Sequence, residues 1–115
     1  MLKEFEVLLK QLAALLRQRI EEELTEQWSL VSLDARYDGE GGVLTKIRAA
    51  KANDELVSLK TNNPIDLLLI SLDNFRSASG PEWFGILMTI SPSLECSVDF
   101  NYDSKCEQDP AFFDE

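Results

Sequence analysis

The segment 83–103 has the sequence WFGILMTISPSLECSVDFNYD, in which two alternating runs flank a central turn. The apolar face of the first run consists of Phe84, Ile86, Met88 and Ile90. In the second run, polar and acidic residues alternate with Cys96, Val98, Phe100 and Tyr102. Ser91-Pro92-Ser93 supplies turn residues between the runs. A period of two with one apolar face predicts an antiparallel hairpin that buries that face.

The segment after Trp28 shows the same period earlier in the chain. One face of the first run carries Val31, Leu33, Ala35 and Tyr37, and the return run carries Val43, Thr45, Ile47 and Ala49. The residues between them, DGEGG at 38–42, tolerate positive φ and favour a turn. A second hairpin is therefore predicted, followed by a third short strand around Leu56–Leu59.

Helical periodicity marks two further segments. Residues 3–23 carry apolar side chains at i, i+3, i+4 and i+7, namely Phe5, Leu8, Leu9, Leu12, Leu15, Leu16 and Ile20. A second helix is predicted to begin with Asn63 as its cap and Pro64 in its first turn, and to stop at Gly80-Pro81. Leu67 and Ile70 widen its apolar stripe, so we expect this helix to be covered on more than one side.

The predicted element order is α-β-β-(β)-α-β-β. This order indicates an α+β fold, with an antiparallel sheet of four to five strands and two helices on one face. With 115 residues, no internal repeat and no linker, the chain is expected to form one domain over residues 1–115.

The charge of the chain is strongly asymmetric. Residues after position 60 carry ten carboxylates and two cations, whereas residues 1–60 carry eleven carboxylates and nine cations. The net charge of −10 repels nucleic acid and anionic membranes, and it steers positively charged partners. We therefore expect one folded acidic surface that binds a basic protein.

The N-terminal residues indicate the cellular compartment, and the compartment in turn indicates the state of the two cysteines. The first ten residues, MLKEFEVLLK, mix charges into the apolar run, and no apolar run approaches a membrane span. A cytoplasmic protein is the expectation. Cys96 and Cys106 are then expected to be free thiols, although a single disulfide is the alternative.

Motifs for catalysis and metal binding fit poorly. The chain has no histidine, no phosphate-binding glycine loop and no nucleophile elbow, so we expect neither enzyme activity nor a cofactor. The residues from Asp99 to Asp103 match the D-x-N-x-D opening of a calcium loop, but Ser104 replaces the turn glycine and Pro110 the bidentate glutamate. Strand alternation, with Phe100 and Tyr102 inward and the acids outward, is the better interpretation.

Trp83 has two interpretations. By alternation it shares a strand face with Leu87, and on an open sheet face it would lie beside Glu95, Asp99 and Asp103. An aromatic anchor ringed by carboxylates suits a basic partner. Alternatively, Trp83 packs under the first helix or under the Phe112-Phe113 tail.

The chain resembles the YezG-like family of bacterial antitoxin and immunity proteins. The resemblance lies in Trp28 after the first helix, in Pro-Glu-Trp-Phe at 81–84 and in Val-Asp-Phe-Asn-Tyr-Asp at 98–103. It implies an immunity protein that binds a cognate toxin domain, often a nuclease, with Trp83, Asp99, Tyr102 and Asp103 at matching positions. The candidate partner-binding residues are Glu82, Trp83, Glu95, Asp99, Tyr102 and Asp103.

Two functions are consistent with these expectations. The first is neutralisation of a basic toxin domain by an acidic interface, with the immunity protein as monomer or homodimer. The alternative is a secretion chaperone of the type III class, which binds an unfolded effector segment as a homodimer and has a similar element order. The state of the bound partner, folded domain or unfolded segment, discriminates between them.

Overall fold

The computed structural model describes residues 2–24, 27–37, 42–76, 82–93 and 95–102, with side chains from Glu4 onward. The elements in chain order are α1 (Leu2–Glu23), β1 (Trp28–Tyr37), β2 (Val43–Lys51), β3 (Leu56–Leu59), α2 (Asn63–Leu72), β4 (Gly85–Ile90) and β5 (Cys96–Asn101). A 3-10 turn at Asp73–Phe75 continues α2. The predicted α+β class and element order are confirmed, including the short third strand.

The five strands form one antiparallel sheet in the order β3-β2-β1-β4-β5. Both predicted hairpins are present, and β1 joins them by pairing with β2 on one side and β4 on the other. Alternation sets the two faces of the sheet, because successive side chains point to opposite sides. One face carries the buried residues Val31, Leu33, Ala35, Tyr37, Ile47, Ala49, Ile86, Met88 and Ile90.

The helices supply the other half of the core. Leu12, Leu16 and Ile20 of α1 are fully buried, as are three residues of α2, Ile65, Leu69 and Leu72. Burying each of these aliphatic side chains contributes about 1.5–3 kcal/mol, so the two helices are held mainly by packing against one face of the sheet. Neither described helix combines the length and apolar character needed to cross a membrane.

The ends and the outer side of α2 differ from the prediction. The cap is Asn62 rather than Asn63, because Asn62 has an extended backbone and its Oδ1 accepts a hydrogen bond from the Ile65 amide at 3.0 Å. The α-helix ends at Leu72, well before Gly80-Pro81. Leu67 and Ile70 are exposed, so the expectation of a second covered side is wrong within the described part of the chain.

Candidate protein-interaction surface

The sheet face opposite the helices is open, since no described element packs on it. We call it the open face, and its exposed apolar residues are Leu30 on β1, Leu56 on β3 and Leu87 on β4. Register places Leu30 beside Ala50 of β2, and Ala50 beside Leu56. Leu87 lies between Asp34 of β1 and Asp99 of β5. Exposed apolar side chains interspersed with charges are typical of protein-binding surfaces.

The charges that the structure describes on the open face are mixed, so these residues alone do not form the expected acidic surface. Asp34 and Asp99 share this face with three cations, Arg36, Lys46 and Arg48, by the register of β1, β2, β4 and β5. The described side chains include thirteen carboxylates and nine cations. They therefore carry −4 of the total −10, and the larger part belongs to residues outside the described ranges.

A shallow depression of about 330 Å³ lies on the open face near the start of β4. Its rim includes Asp34, Arg36, Asp99 and Tyr102, and Gly85 contributes to the floor. Gly85 stands between Arg36 and Asn101 in the register, and a Cβ added there would approach the Ala35 carbonyl oxygen to 3.1 Å. A glycine therefore allows close strand packing at this point and keeps the depression open.

The two carboxylates of the depression differ in their environment. Asp34 Oδ1 lies 3.7 Å from Arg36 Nε, so this carboxylate already faces a cation. Asp99 is exposed on edge strand β5 and forms no ion pair within the part of the chain described here. Asp99 is consequently the carboxylate of this depression that is most accessible to a cationic side chain from a partner.

Trp83 does not belong to the open face. Its side chain is only 4% exposed, and its ring lies 5.1 Å from Phe100 and 5.6 Å from Tyr37, measured between centroids. Phe5 of α1 stacks on it at 6.3 Å. The interpretation of Trp83 as an exposed anchor is wrong, and packing under the first helix is correct. Strand β4 starts at Gly85, and the Trp83 amide donates to the Arg76 carbonyl oxygen rather than to a neighbouring strand, so the alternation of β4 does not extend back to residue 83.

Arg76 holds the Trp83 segment in place. Its Nε donates to the Trp83 carbonyl oxygen at 2.9 Å, and the Trp83 amide donates to the Arg76 carbonyl oxygen at 3.2 Å. The guanidinium also contacts Asp73 at 2.8 Å and Glu82 at 3.3 Å. Glu82, a predicted partner-binding residue, is therefore engaged within the protein and contributes to the scaffold.

Tyr37 lies beneath this arginine at the end of β1. Its hydroxyl donates a hydrogen bond of 2.5 Å to the carbonyl oxygen of Leu69 in α2, which ties the sheet to that helix. Burial raises the pKa of Tyr37 far above its ordinary value of 10.0 because the phenolate would lose its hydration. Asp73 raises this pKa further by charge repulsion, and Arg76 opposes the shift. The hydroxyl thus stays a donor at all physiological pH values.

The remaining predicted partner-binding residues do not form one cluster in the described structure. Glu95 precedes the strand and is exposed, while Tyr102 follows the strand and is 55% exposed, so the expected inward position of Tyr102 is wrong. Seven residues of extended chain separate the two by roughly 24 Å. Asp103 lies outside the described residues. Of the five candidates that the structure describes, Asp99 and Tyr102 line the depression.

The structure describes some of the residues that were considered for metal binding and for a disulfide. Asp99 and Asn101 are two residues apart on an extended strand, as alternation predicted, rather than on the start of a loop. No group of three or more potential metal-ligating side chains occurs within the described ranges. Cys96 is an exposed thiol, and its pKa is raised by partial burial. Cys106 is outside these ranges, so the prediction about the two thiols is not addressed.

Sequence reasoning missed the roles of Arg36, Arg76 and Gly85. A signal for Arg76 existed, because no other cation occurs between Lys60 and Lys105 among many carboxylates. Gly85 carried a weaker signal as a glycine within a strand pattern.

Comparison with known proteins adds no relative: no protein-family model and no curated protein matches this chain.

Proposed function

We propose that this protein is an immunity protein, or antitoxin, that binds and neutralises a cognate bacterial toxin domain in the cytoplasm of the producing cell. A nuclease is the expected toxin class, because nucleases present cationic surfaces to nucleic acid. The observation that carries the proposal is the open face, where exposed Leu87 lies between Asp34 and Asp99 beside the Tyr102 depression. The resemblance to YezG-like proteins supports the same function.

The contact is expected to combine an apolar centre with charged recognition. Leu87 and Tyr102 offer exposed apolar area, and Tyr is enriched among residues that dominate binding energies. Asp99 is available to pair with a lysine or arginine of the toxin, while Arg36 and Asp34 stay paired at the rim. The net charge of −10 adds long-range attraction for a basic domain. No chemical step by this protein is required.

The partner is sought first in the neighbouring reading frame. If that frame encodes a large exported protein with a variable C-terminal domain, this domain is the one to purify and to co-express. Rescue of growth by the wild-type chain, together with a 1:1 complex of folded proteins, supports the proposal. A toxic domain that is neither bound nor neutralised contradicts it.

A matched pair of substitutions locates the contact. Asp99→Asn removes the exposed carboxylate of the depression, and we expect the complex to weaken about tenfold or more, as for loss of a charge-assisted contact. Asp54→Asn is the control, since Asp54 is equally exposed but lies in the β2–β3 turn, where asparagine tolerates its φ of 67°. Equal effects of both substitutions would show that only total charge matters.

Ionic strength provides an independent measurement. The association rate should fall by about tenfold or more between low and physiological salt, because screening removes electrostatic steering. The dissociation rate constant of the complex should change far less over the same range of salt concentration. An association rate that is flat over this range would remove the charge argument.

The secretion chaperone remains a second candidate because the observed order α-β-β-β-α-β-β also matches that class. A chaperone should bind an unfolded effector segment and should not protect cells from a folded toxin. Binding measured against a folded domain and against its urea-unfolded form separates the two functions.

A further inference from the structure

Strand β5 forms one edge of the sheet, since no described strand pairs with its outer side. On the β5 side of β4, the Ser91 amide donates a hydrogen bond to the Glu95 carbonyl oxygen. On the β1 side, the Tyr37 amide donates to the Phe84 carbonyl oxygen. These two bonds show which residues of β4 bond to β5 and which bond to β1. In this pattern Ser97, Asp99 and Asn101 direct their backbone groups toward β4. The amides and carbonyls of the alternate residues, Cys96, Val98 and Phe100, therefore point outward.

We propose that β5 pairs antiparallel with β5 of a second copy of this chain, with the twofold axis at Val98. The pairing joins two five-stranded sheets into one continuous sheet. It goes beyond the proposed function and does not depend on which partner the open face binds.

Like-charge repulsion disfavours the two registers next to this one. With the axis at Val98, Asp99 of one copy faces Ser97 of the other, at a pair without backbone hydrogen bonds where side chains approach closely. An axis at Ser97 would place Asp99 opposite Glu95 of the second copy, and an axis at Asp99 would oppose the two Asp99 carboxylates. Like charges directly opposite each other destabilise a sheet. Of these three registers, only the one centred on Val98 avoids the repulsion.

The two edges of the sheet also differ in how well they are protected. Strand β3 has four residues, and Arg19 of α1 donates to the Lys60 carbonyl just beyond it at 2.7 Å. Strand β5 has six residues and contains no lysine, no proline and no register shift in its pairing with β4. Short length and covering contacts protect an edge, whereas a regular six-residue strand is a template for pairing.

The helix-side residues of β5 gain from the proposed contact. Val98 and Phe100 are only partly buried although both pack against the core. In the dimer, Cys96 of the second copy lies next to Phe100, and the two Val98 side chains are adjacent. The pairing thus satisfies outward backbone groups and covers apolar surface with the same segment.

The test is sedimentation equilibrium of the full-length chain with substitutions at Ser97. Ser97→Asp places a carboxylate opposite Asp99 at two symmetric positions, and we expect the dimer dissociation constant to rise roughly 2-fold to 30-fold. Ser97→Lys should lower it by a similar factor, and Ser97→Asn is the neutral control. The double substitution Ser97→Asp with Asp99→Ser exchanges the two side chains and should restore wild-type dimerisation. Positions 97 and 99 are both exposed, so we expect these variants to fold, and circular dichroism checks this.

Hydrogen exchange of the full-length chain gives the second readout. The amides of Val98 and Phe100 should become protected as the protein concentration rises, in step with the dimer fraction. A monomer at about 1 mM overturns the proposal, as does protection that is independent of concentration, which would mean that the chain covers its own edge. A dimer that is insensitive to all Ser97 variants also overturns it. None of these results involves a toxin, so they are distinct from a failure of the proposed function.

Discussion

The guanidinium carbon of Arg76 lies 4.8 Å from the centre of the Tyr37 ring. The same guanidinium lies 5.3 Å from the centre of the Phe84 ring, so one cation covers two aromatic faces. With its hydrogen bond to the Trp83 carbonyl, Arg76 joins the end of α2 to the start of β4. It is 12% exposed, and this burial strengthens each of its interactions.

Arg76→Ala should therefore destabilise the protein by about 2–4 kcal/mol, because several charge-assisted bonds and a cation–π contact are lost together. Arg76→Lys should recover only part of this, since an ammonium cannot reproduce the planar set of donors. Urea unfolding measures the effect. Arg17→Ala is the control: its pair with Glu21 lies on the exposed side of α1, and we expect a loss under about 0.5 kcal/mol. Similar losses for both alanine variants would contradict the role of Arg76.

Tyr37 should make stability depend on alkaline pH. In the unfolded chain this hydroxyl loses its proton near its ordinary pKa of 10.0, whereas the folded protein holds the proton to higher pH. The protonated Tyr37 hydroxyl therefore makes its full contribution to the free energy of unfolding below pH 10, and this contribution is lost as the pH rises above that value. At pH 11 the free energy of unfolding should be lower by about 1.4 kcal/mol for this reason.

Tyr37→Phe provides the comparison for that pH dependence. It should cost about 1–3 kcal/mol at pH 8, because the Leu69 carbonyl loses its donor. The difference in unfolding free energy between wild type and variant should shrink between pH 8 and pH 11. A difference that stays constant would mean that Tyr37 is not the titrating group.

Trp83→Ala should cost about 3–5 kcal/mol, as expected for removal of a large buried aromatic side chain. Trp83→Phe should cost less because a ring remains among Phe5, Tyr37 and Phe100. Chemical unfolding gives both values. In a Trp28→Phe background, Trp83 fluorescence should be blue-shifted and poorly quenched by iodide. Strong quenching of Trp83 would contradict its burial.

Gly85→Ala should destabilise the protein by about 1–3 kcal/mol, because the new methyl group meets the Ala35 carbonyl oxygen at 3.1 Å. It should also narrow the depression between Arg36 and Asn101. Thr89→Ala, on the same face of the same strand, is the matched control, with an expected cost under about 1 kcal/mol. Unfolding in urea tests both variants. Tolerance of alanine at position 85 would show that the backbone shifts easily there.

Local periodicity predicted most of the fold. Alternation over β1, β2 and β4 correctly assigned the buried face, and α1 was predicted to within one residue of its observed start. The cap of α2 differed by one residue because two asparagines stand side by side and either can adopt the cap conformation. Only the backbone angles and the bond to the Ile65 amide distinguish Asn62 from Asn63.

The candidate site was predicted less well, for reasons visible in single residues. Of the two interpretations of Trp83, the one that places it on the open face fails because it extends strand alternation two residues before the start of β4. Extending the alternation to Tyr102 points it inward for the same reason and at the same open end of the hairpin, one residue after β5 ends. Asp99 lies within the strand, and its outward position was predicted correctly.

The amino-acid sequence by itself determined which segments are helix or strand and which face of each strand is apolar, because these depend on side chains a few positions apart. Tertiary structure alone decided that β1 lies between β2 and β4, that Arg76, Tyr37 and Trp83 meet, and that cations of β1 and β2 share a face with Asp99. These relationships join residues far apart in the chain. They arise when helices and sheet pack together, and no local period encodes that packing.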